Sequence, residues 1–307
     1  MHIQDLVEPD SNDHSAERQA ATKRSTWTSV TVNLWLSITQ VTTGLFSGSQ
    51  GLIADGIHSL SDLVADFVVL LAAHHSKKEA DNEHHYGHQR YENGASLVLG
   101  GLLLAVGSGM AWAAAHKLQT PDTIPTVHLA ALWVAMGALI AKELLFRYML
   151  AVAERVRSSM LVANAWHARS DAASSLVVAM GIGGNLLGYP LLDPIAALIV
   201  GFMVGRMGWS FFWNALHDLM DRSAAEEQIE AIAKTISATS GVQGFHDLKT
   251  RKTGDMILAD VHLEIDGNLT VTEGHEIAEL VATNVVAKHP VLYLMTHVDP
   301  VTPQAQT

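Results

Sequence analysis

Ala54-Asp55-Gly56-Ile57-His58-Ser59-Leu60-Ser61-Asp62 places an imidazole and a carboxylate inside a stretch that otherwise reads as a membrane-spanning helix. Residues four apart project from one face of a helix, so His58 and Asp62 offer a nitrogen and an oxygen side by side. The same His-x-x-x-Asp spacing returns at Trp166-His167-Ala168-Arg169-Ser170-Asp171, in a second apolar segment. Two such helices facing each other supply two nitrogens and two oxygens, the tetrahedral set that zinc favours. Taken singly, each pair also reads as a helical His and Asp satisfied by one another or by backbone. Two copies at membrane depth argue for function, because a charged side chain near the bilayer centre costs at least about 2.5 to 3.5 kcal/mol.

Other ligand types cluster outside the apolar segments. Asp81, His84 and His88 fall within His74–His88, a dense polar loop that reads either as a solvated connection or as a second metal site. Near the C-terminal end, His246, His262, His275, His297 and Asp299 lie within one stretch of about eighty residues that starts near Ser223. The spacing His297-Val298-Asp299 puts two ligands on one side of a strand, since side chains alternate with period two. The chain has no cysteine, so thiolate sites are excluded and any metal is held by His, Asp and Glu; 17 histidines in 307 residues make such a ligand set available. A formal charge of −12 argues against a nucleic-acid partner, which would require basic patches.

Six apolar segments position the first two pairs, at about 25–46, 52–73, 94–116, 129–150, 160–187 and 191–216, each near the twenty residues a bilayer requires. The first is polar for a span, with Asn33, Ser37, Gln40 and Thr43 suited to a face against other helices. Ser47-Gly48-Ser49-Gln50-Gly51 reads as a tight turn, Gly201 and Gly205 as a close helix contact, and Asp193, which opens the sixth span, equally as an N-cap or as a functional residue. Trp112, Trp209 and Trp213 sit at span ends, as interfacial aromatics do. Arg18, Lys23, Arg24, Lys77, Lys78, Arg90, Arg147, Arg155 and Arg157 fall on one side of the membrane and only Lys117 on the other, which sets both termini in the cytoplasm. In that orientation Asp62 and His167 meet near the midplane. No short apolar leader with a small-residue cleavage site precedes the first span, so no signal peptide is expected.

After about Asp221 the pattern changes. Ser223-Ala224-Ala225-Glu226-Glu227 reads as a capped helix start; two alternating strands, a helix and a last strand follow, giving an α-β-β-α-β unit. The expected organisation is a membrane α-helical protein: a flexible tail at 1–22, a six-helix transport domain at 23–219, a small cytoplasmic α+β metal-binding and dimerisation domain at 220–300, and a flexible tail at 301–307.

From about Lys23 to Pro300 the sequence resembles the cation diffusion facilitator family of divalent-metal/proton antiporters. The resemblance is carried by Ala54 to Asp62, by His84-His85-Tyr86-Gly87-His88-Gln89-Arg90-Tyr91-Glu92, by Trp166-His167 through Asp171, and by Val261-His262-Leu263-Glu264 with Thr296-His297-Val298-Asp299-Pro300. It looks closest to the bacterial ferrous-iron/zinc efflux branch. The resemblance implies a homodimer in the bacterial inner membrane, not an enzyme, with a transport site at His58, Asp62, His167 and Asp171. It further implies a loop site at Asp81, His84 and His88, a binuclear cytoplasmic site on His246, His262, His275, His297 and Asp299, and a charge interlock of Arg90 with Asp221 between subunits. Relatives of that branch often carry Asp where this chain has His58; histidine resembles the zinc-preferring members, so Zn2+ is the expected cargo, with Fe2+, Cd2+ or Co2+ as alternatives.

Two carboxylates cancel the charge of a divalent cation, whereas desolvation and repulsion favour protonation of the emptied site, so exchange of metal for protons is consistent with the ligands themselves. An intramembrane zinc hydrolase would need a general base beside an open coordination position, and the chain has no His-Glu-x-x-His. A membrane-anchored metal sensor remains the reading of a different class; ligands placed at membrane depth argue against it.

Overall fold

The computed structural model describes residues 10–76, 78–155 and 159–301. The expected tail residues 1–9 and 302–307, and two of the basic residues used for orientation, Lys77 and Arg157, lie outside them. Six long helices come first: α1 (Asp10–Ser47), α2 (Gln50–Ser76), α3 (Arg90–Gln119), α4 (Leu129–Arg155), α5 (Ser159–Leu186) and α6 (Leu192–Leu219). Then follow α7 (Glu226–Ser237), β1 (Gly244–Thr253), β2 (Met256–Asp266), α8 (Val271–Lys288) and β3 (Val291–Val301). The chain divides into two compact units, one ending at Phe67 and resuming over Leu102–Trp209, the other made of Val68–Gly101 and the chain from Ser210 onward.

α1 is longer than expected. A tail was expected up to residue 22, yet the helix begins at Asp10. Ala16-Glu17-Arg18-Gln19-Ala20-Ala21 are all strong helix formers, and an all-polar stretch of them has no apolar period to betray the helix. Four helices, α2, α3, α4 and α6, are long and apolar enough to cross a membrane. α1 and α5 fall short of that apolarity because they carry the polar residues: Asn33, Ser37 and Gln40 on one, His167, Asp171, Ser174 and Ser175 on the other.

In the first unit α4 packs on α5 and on α1. Its core is built from small residues, among them Ala54, Ala114, Ala131, Ala135, Ala179 and Ala197, with Leu52, Val178, Ile182 and Val200 between them. Small side chains let helix backbones approach, the main source of attraction where lipid is as apolar as the protein. A close contact joins α3 to α6: a Cβ on Gly107 would lie 2.4 Å from the Gly205 amide nitrogen and one on Gly201 would lie 3.0 Å from the Ala111 amide nitrogen, whereas one on Gly205 would meet nothing within 4 Å, so the expected role in close packing falls to Gly201 and not to Gly205. Large apolar side chains meanwhile face outward on the long helices, among them Phe46, Trp112, Trp133 and Phe202, the surface a bilayer covers.

The turn at Gly48, with φ +74°, reverses α1 into α2. Asp193, which as a cap was expected on its own helix, caps α2 instead: it accepts from Ser49 Oγ at 2.6 Å and from the amides of Gln50 at 2.7 Å and Gly51 at 3.3 Å. The first turn of a helix presents free N–H groups and the positive end of its dipole, which a carboxylate satisfies. Its partner lies more than a hundred residues away, so local spacing pointed to the wrong helix.

In the second unit α7 and α8 cover one face of a three-stranded sheet ordered β1-β2-β3, with β1 and β2 antiparallel and β2 and β3 parallel. Ile232, Ile236, Ile257, Val261, Leu263, Val281, Val285 and Leu294 form its core. Within the expected capped start Ser223–Glu227, the N-cap of α7 is Ala225, whose amide donates to Gln228 Oε1 at 3.3 Å. Also in this unit, Arg90 Nη2 at the start of α3 meets Asp221 Oδ1 at 2.5 Å just past α6. The two residues expected to interlock at the subunit joint thus pair with each other within the chain, where Asp221, with φ 60°, turns the backbone. Both side chains are about half exposed, at 48% and 50%, so solvent screens them. In a double-mutant cycle on thermal unfolding, Arg90→Ala and Asp221→Ala are expected to couple by no more than about 1 kcal/mol. Coupling of several kcal/mol would instead place the pair in a desolvated setting.

Candidate metal centre

Three of the four expected ligands in the helices meet. His58 and Asp62 stand one turn apart on α2, with His58 Nδ1 3.6 Å from Asp62 Oδ2. Asp171 comes from α5, its Oδ1 3.8 Å from His58 Nε2. One ligand atom from each lies within 4.8 Å of the others, close enough to share one cation. His58 is buried, and its Nδ1 has no hydrogen-bond partner among the described residues. An orphaned ring nitrogen at such depth fits a metal ligand, since buried polar atoms are otherwise paired. His167 is exposed and stays outside this group, although it precedes Asp171 by one helical turn.

The three residues of the expected loop site lie together. Asp81 Oδ1 lies 3.4 Å from His84 Nδ1, and Asp81 Oδ2 lies 3.4 Å from His88 Nε2. His88 is buried and its Nδ1 donates to the Glu79 carbonyl at 3.2 Å, which leaves Nε2 as the free donor for a cation. Asp81 accepts from Lys78 Nζ at 2.7 Å and from the amides of Glu83 and His84 at 3.0 and 2.8 Å. The hydrogen bond from Lys78 leads in holding its carboxyl far below the usual range, so it is an anion at every physiological pH.

The cytoplasmic cluster is built by strand register. His246 pairs with His262 across β1 and β2, and His262 pairs with His297 across β2 and β3, so three imidazoles stand in one row. Ring centroids are 5.0 Å apart for the first pair and 4.6 Å for the second. Asp299, two residues beyond His297 and on the same face, closes the group: its Oδ2 lies 3.2 Å from His246 Nε2 and accepts from His262 Nδ1 at 2.9 Å, while its Oδ1 is 3.4 Å from His297 Nε2. The hydrogen bond from His262 is the first cause of its lowered pKa, so Asp299 is ionised at neutral pH. A bulge between His246 and Lys249, with Asp247 at φ 51°, turns the end of β1 beside the cluster.

His275 does not join it. That residue lies exposed on α8, which the sheet meets through Ala278, Val281 and Val285. Glu264, missed by sequence reasoning, stands 4.0 Å from His246 through its Oε1; the alternation of β2 puts it on the face of His262. Imidazole nitrogens and a carboxylate in this arrangement suit zinc. A fragment beginning at Ser223 carries this sheet with its own core, so calorimetry at neutral pH is expected to show zinc binding that Asp299→Ala removes; unchanged binding in the variant would dismiss the cluster.

Comparison with known proteins matches residues 26–220 to the family described as "Cation efflux transmembrane domain" and residues 224–301 to "Cation efflux protein, cytoplasmic domain". The chain is 35% identical to metal tolerance protein C1 of Arabidopsis thaliana over 88% of its own length and 61% of that protein's. It is 32% identical to magnetosome protein MamB of Paramagnetospirillum magneticum over 86% of this chain and 89% of that one. It is 30% identical to the manganese efflux system protein MneS of Bacillus subtilis over 88% of this chain and 93% of that one.

Proposed function

The chain belongs to the cation efflux family of membrane transporters, and on that premise we propose that it exports divalent cations, Zn2+ foremost, from the cytoplasm in exchange for protons. The observation that carries this reading is the convergence of His58, Asp62 and Asp171 within 4.8 Å inside the helical unit. His167, on the face of α5 that carries Asp171, is the fourth ligand in this reading. The cation neutralises the two carboxylates; when it leaves, protons replace it on the same groups, because two anions this close and this shielded from water repel. Rocking of the helices about the site would open it to either side in turn.

The loop and cytoplasmic clusters, in the same reading, are cytoplasmic metal sites: Asp81, His84 and His88 in one, His246, His262, His297 and Asp299 in the other. The protein is a homodimer of the bacterial inner membrane with both termini inside, with bilayer, protons and cation as its partners. A harder cargo such as Mn2+ or Fe2+ is favoured by one observation: without His167 the three convergent ligands are one nitrogen and two oxygens. Counterflow into proteoliposomes carrying a pH-sensitive dye, run across Zn2+, Cd2+, Fe2+, Co2+ and Mn2+, tests both. Zinc uptake with coupled proton release is the expected result, and metal binding without flux would leave a sensor.

A further inference from the structure

Directly behind the cage lies a buried ion pair that none of the metal sites uses. Lys142 of α4 is 1% exposed and Asp55 of α2 is fully buried, with Lys142 Nζ 3.2 Å from Asp55 Oδ1. Asp55 precedes His58 by three residues on α2 and so sits beside it on the helix. The same ammonium lies 3.5 Å from the backbone carbonyl of Asp171, and so touches the residue that carries a cage carboxylate. Asp55 is also held by neutral donors: Ser175 Oγ at 2.6 Å and Gln40 Nε2 on its Oδ2, and Ser174 Oγ at 3.0 Å on its Oδ1. Ser174 lies 2.8 Å from the Asp171 carbonyl as well, so one hydroxyl stands between both acceptors. Helices α1, α2, α4 and α5 thus meet on one carboxylate.

A lysine this close to a cation site is costly unless it does something there, since its charge opposes the cargo's. Paired with Asp55 its charge sums to zero, leaving the cage with the two negative charges of Asp62 and Asp171. We propose that the Asp55–Lys142 pair sets the charge of the transport site, with Lys142 as a positioning residue that weakens retention of the cation enough for release. This rests on the transport reading above.

The proposal has a signature that a structural strut lacks: the two partners act with opposite sign. Lys142→Gln keeps a donor for Asp55 but leaves an extra negative charge beside the cage, so the KM for zinc is expected to fall about tenfold and the maximal rate to fall with it. Asp55→Asn leaves an extra positive charge and is expected to raise KM by a similar factor. Lys142→Arg, which keeps the charge, and the double variant Asp55→Asn/Lys142→Gln, which restores neutrality, are expected to return KM to within about threefold of the wild type. The measurement is initial zinc uptake against zinc concentration in proteoliposomes of the full chain at pH 7. KM values moving in the same direction in the two single variants, or a double variant no nearer the wild type than either, would overturn the proposal. So would loss of a folded protein in Lys142→Gln, because the pair would then be a structural strut. Absence of flux in the wild type would instead overturn the transport reading.

Discussion

Asp171→Ala is expected to abolish zinc uptake, by at least about 100-fold, in a protein that still folds and reconstitutes. At an effective dielectric constant of about 20, unit charges 4 Å apart attract by about 4 kcal/mol, and a divalent ion doubles that. A 100-fold loss corresponds to only about 2.7 kcal/mol, so removing one carboxylate from the cage exceeds it comfortably. Folding is spared for three reasons. Alanine is the strongest helix former, α5 runs on through residue 186, and the Asp171 group that holds Lys142 is its backbone carbonyl, which the substitution keeps. His167→Ala is expected to cost less, about tenfold, because its ring stands outside the convergent three. Uptake at equal reconstitution, compared with the helical circular dichroism signal, separates the outcomes. Near wild-type flux in Asp171→Ala would end the site assignment.

The parts legible in the sequence are those that local periodicity carries. Apolar stretches of about twenty residues marked α2, α3, α4 and α6, and strict alternation marked β2, because burial on one face imposes a period that needs no partner to be seen. The His-x-x-x-Asp spacing likewise fixed His58 beside Asp62. What long-range contact decides was not legible. Asp193, read as a cap, pointed to its own helix, and only the folded chain brings it to α2. The row of His246, His262 and His297 depends on register across three strands, and His275 could be set aside only once α8 was in place. Asp55 stood in plain view inside the first motif, but its partner Lys142 is 87 positions away, on a different helix. The polar start of α1 failed for the opposite reason: helix propensity without amphipathic period resembles a tail.

His58→Asp is expected to broaden selectivity rather than abolish transport. His58 is the one nitrogen among the three convergent ligands, and its ring lies between Asp62 and Asp171, at 3.6 and 3.8 Å. Replacing it by a carboxylate makes the set all oxygen, which favours harder ions such as Mn2+ and Fe2+ and removes the imidazole that zinc prefers. The new group also carries charge into a site already holding two anions, so more protons must be displaced per cation bound, and zinc affinity at neutral pH gains little from the extra charge. The shorter side chain reaches less far from α2, which suits a larger ion with longer bonds, Cd2+ included. Uptake ratios are therefore expected to shift by about tenfold toward Mn2+, Fe2+ and Cd2+ relative to Zn2+, with total flux remaining measurable. Competition assays in proteoliposomes with paired metals at equal free concentration measure the ratio directly. An unchanged zinc-to-manganese ratio in the variant would show that His58 does not select the cargo, and that discrimination lies elsewhere on the path.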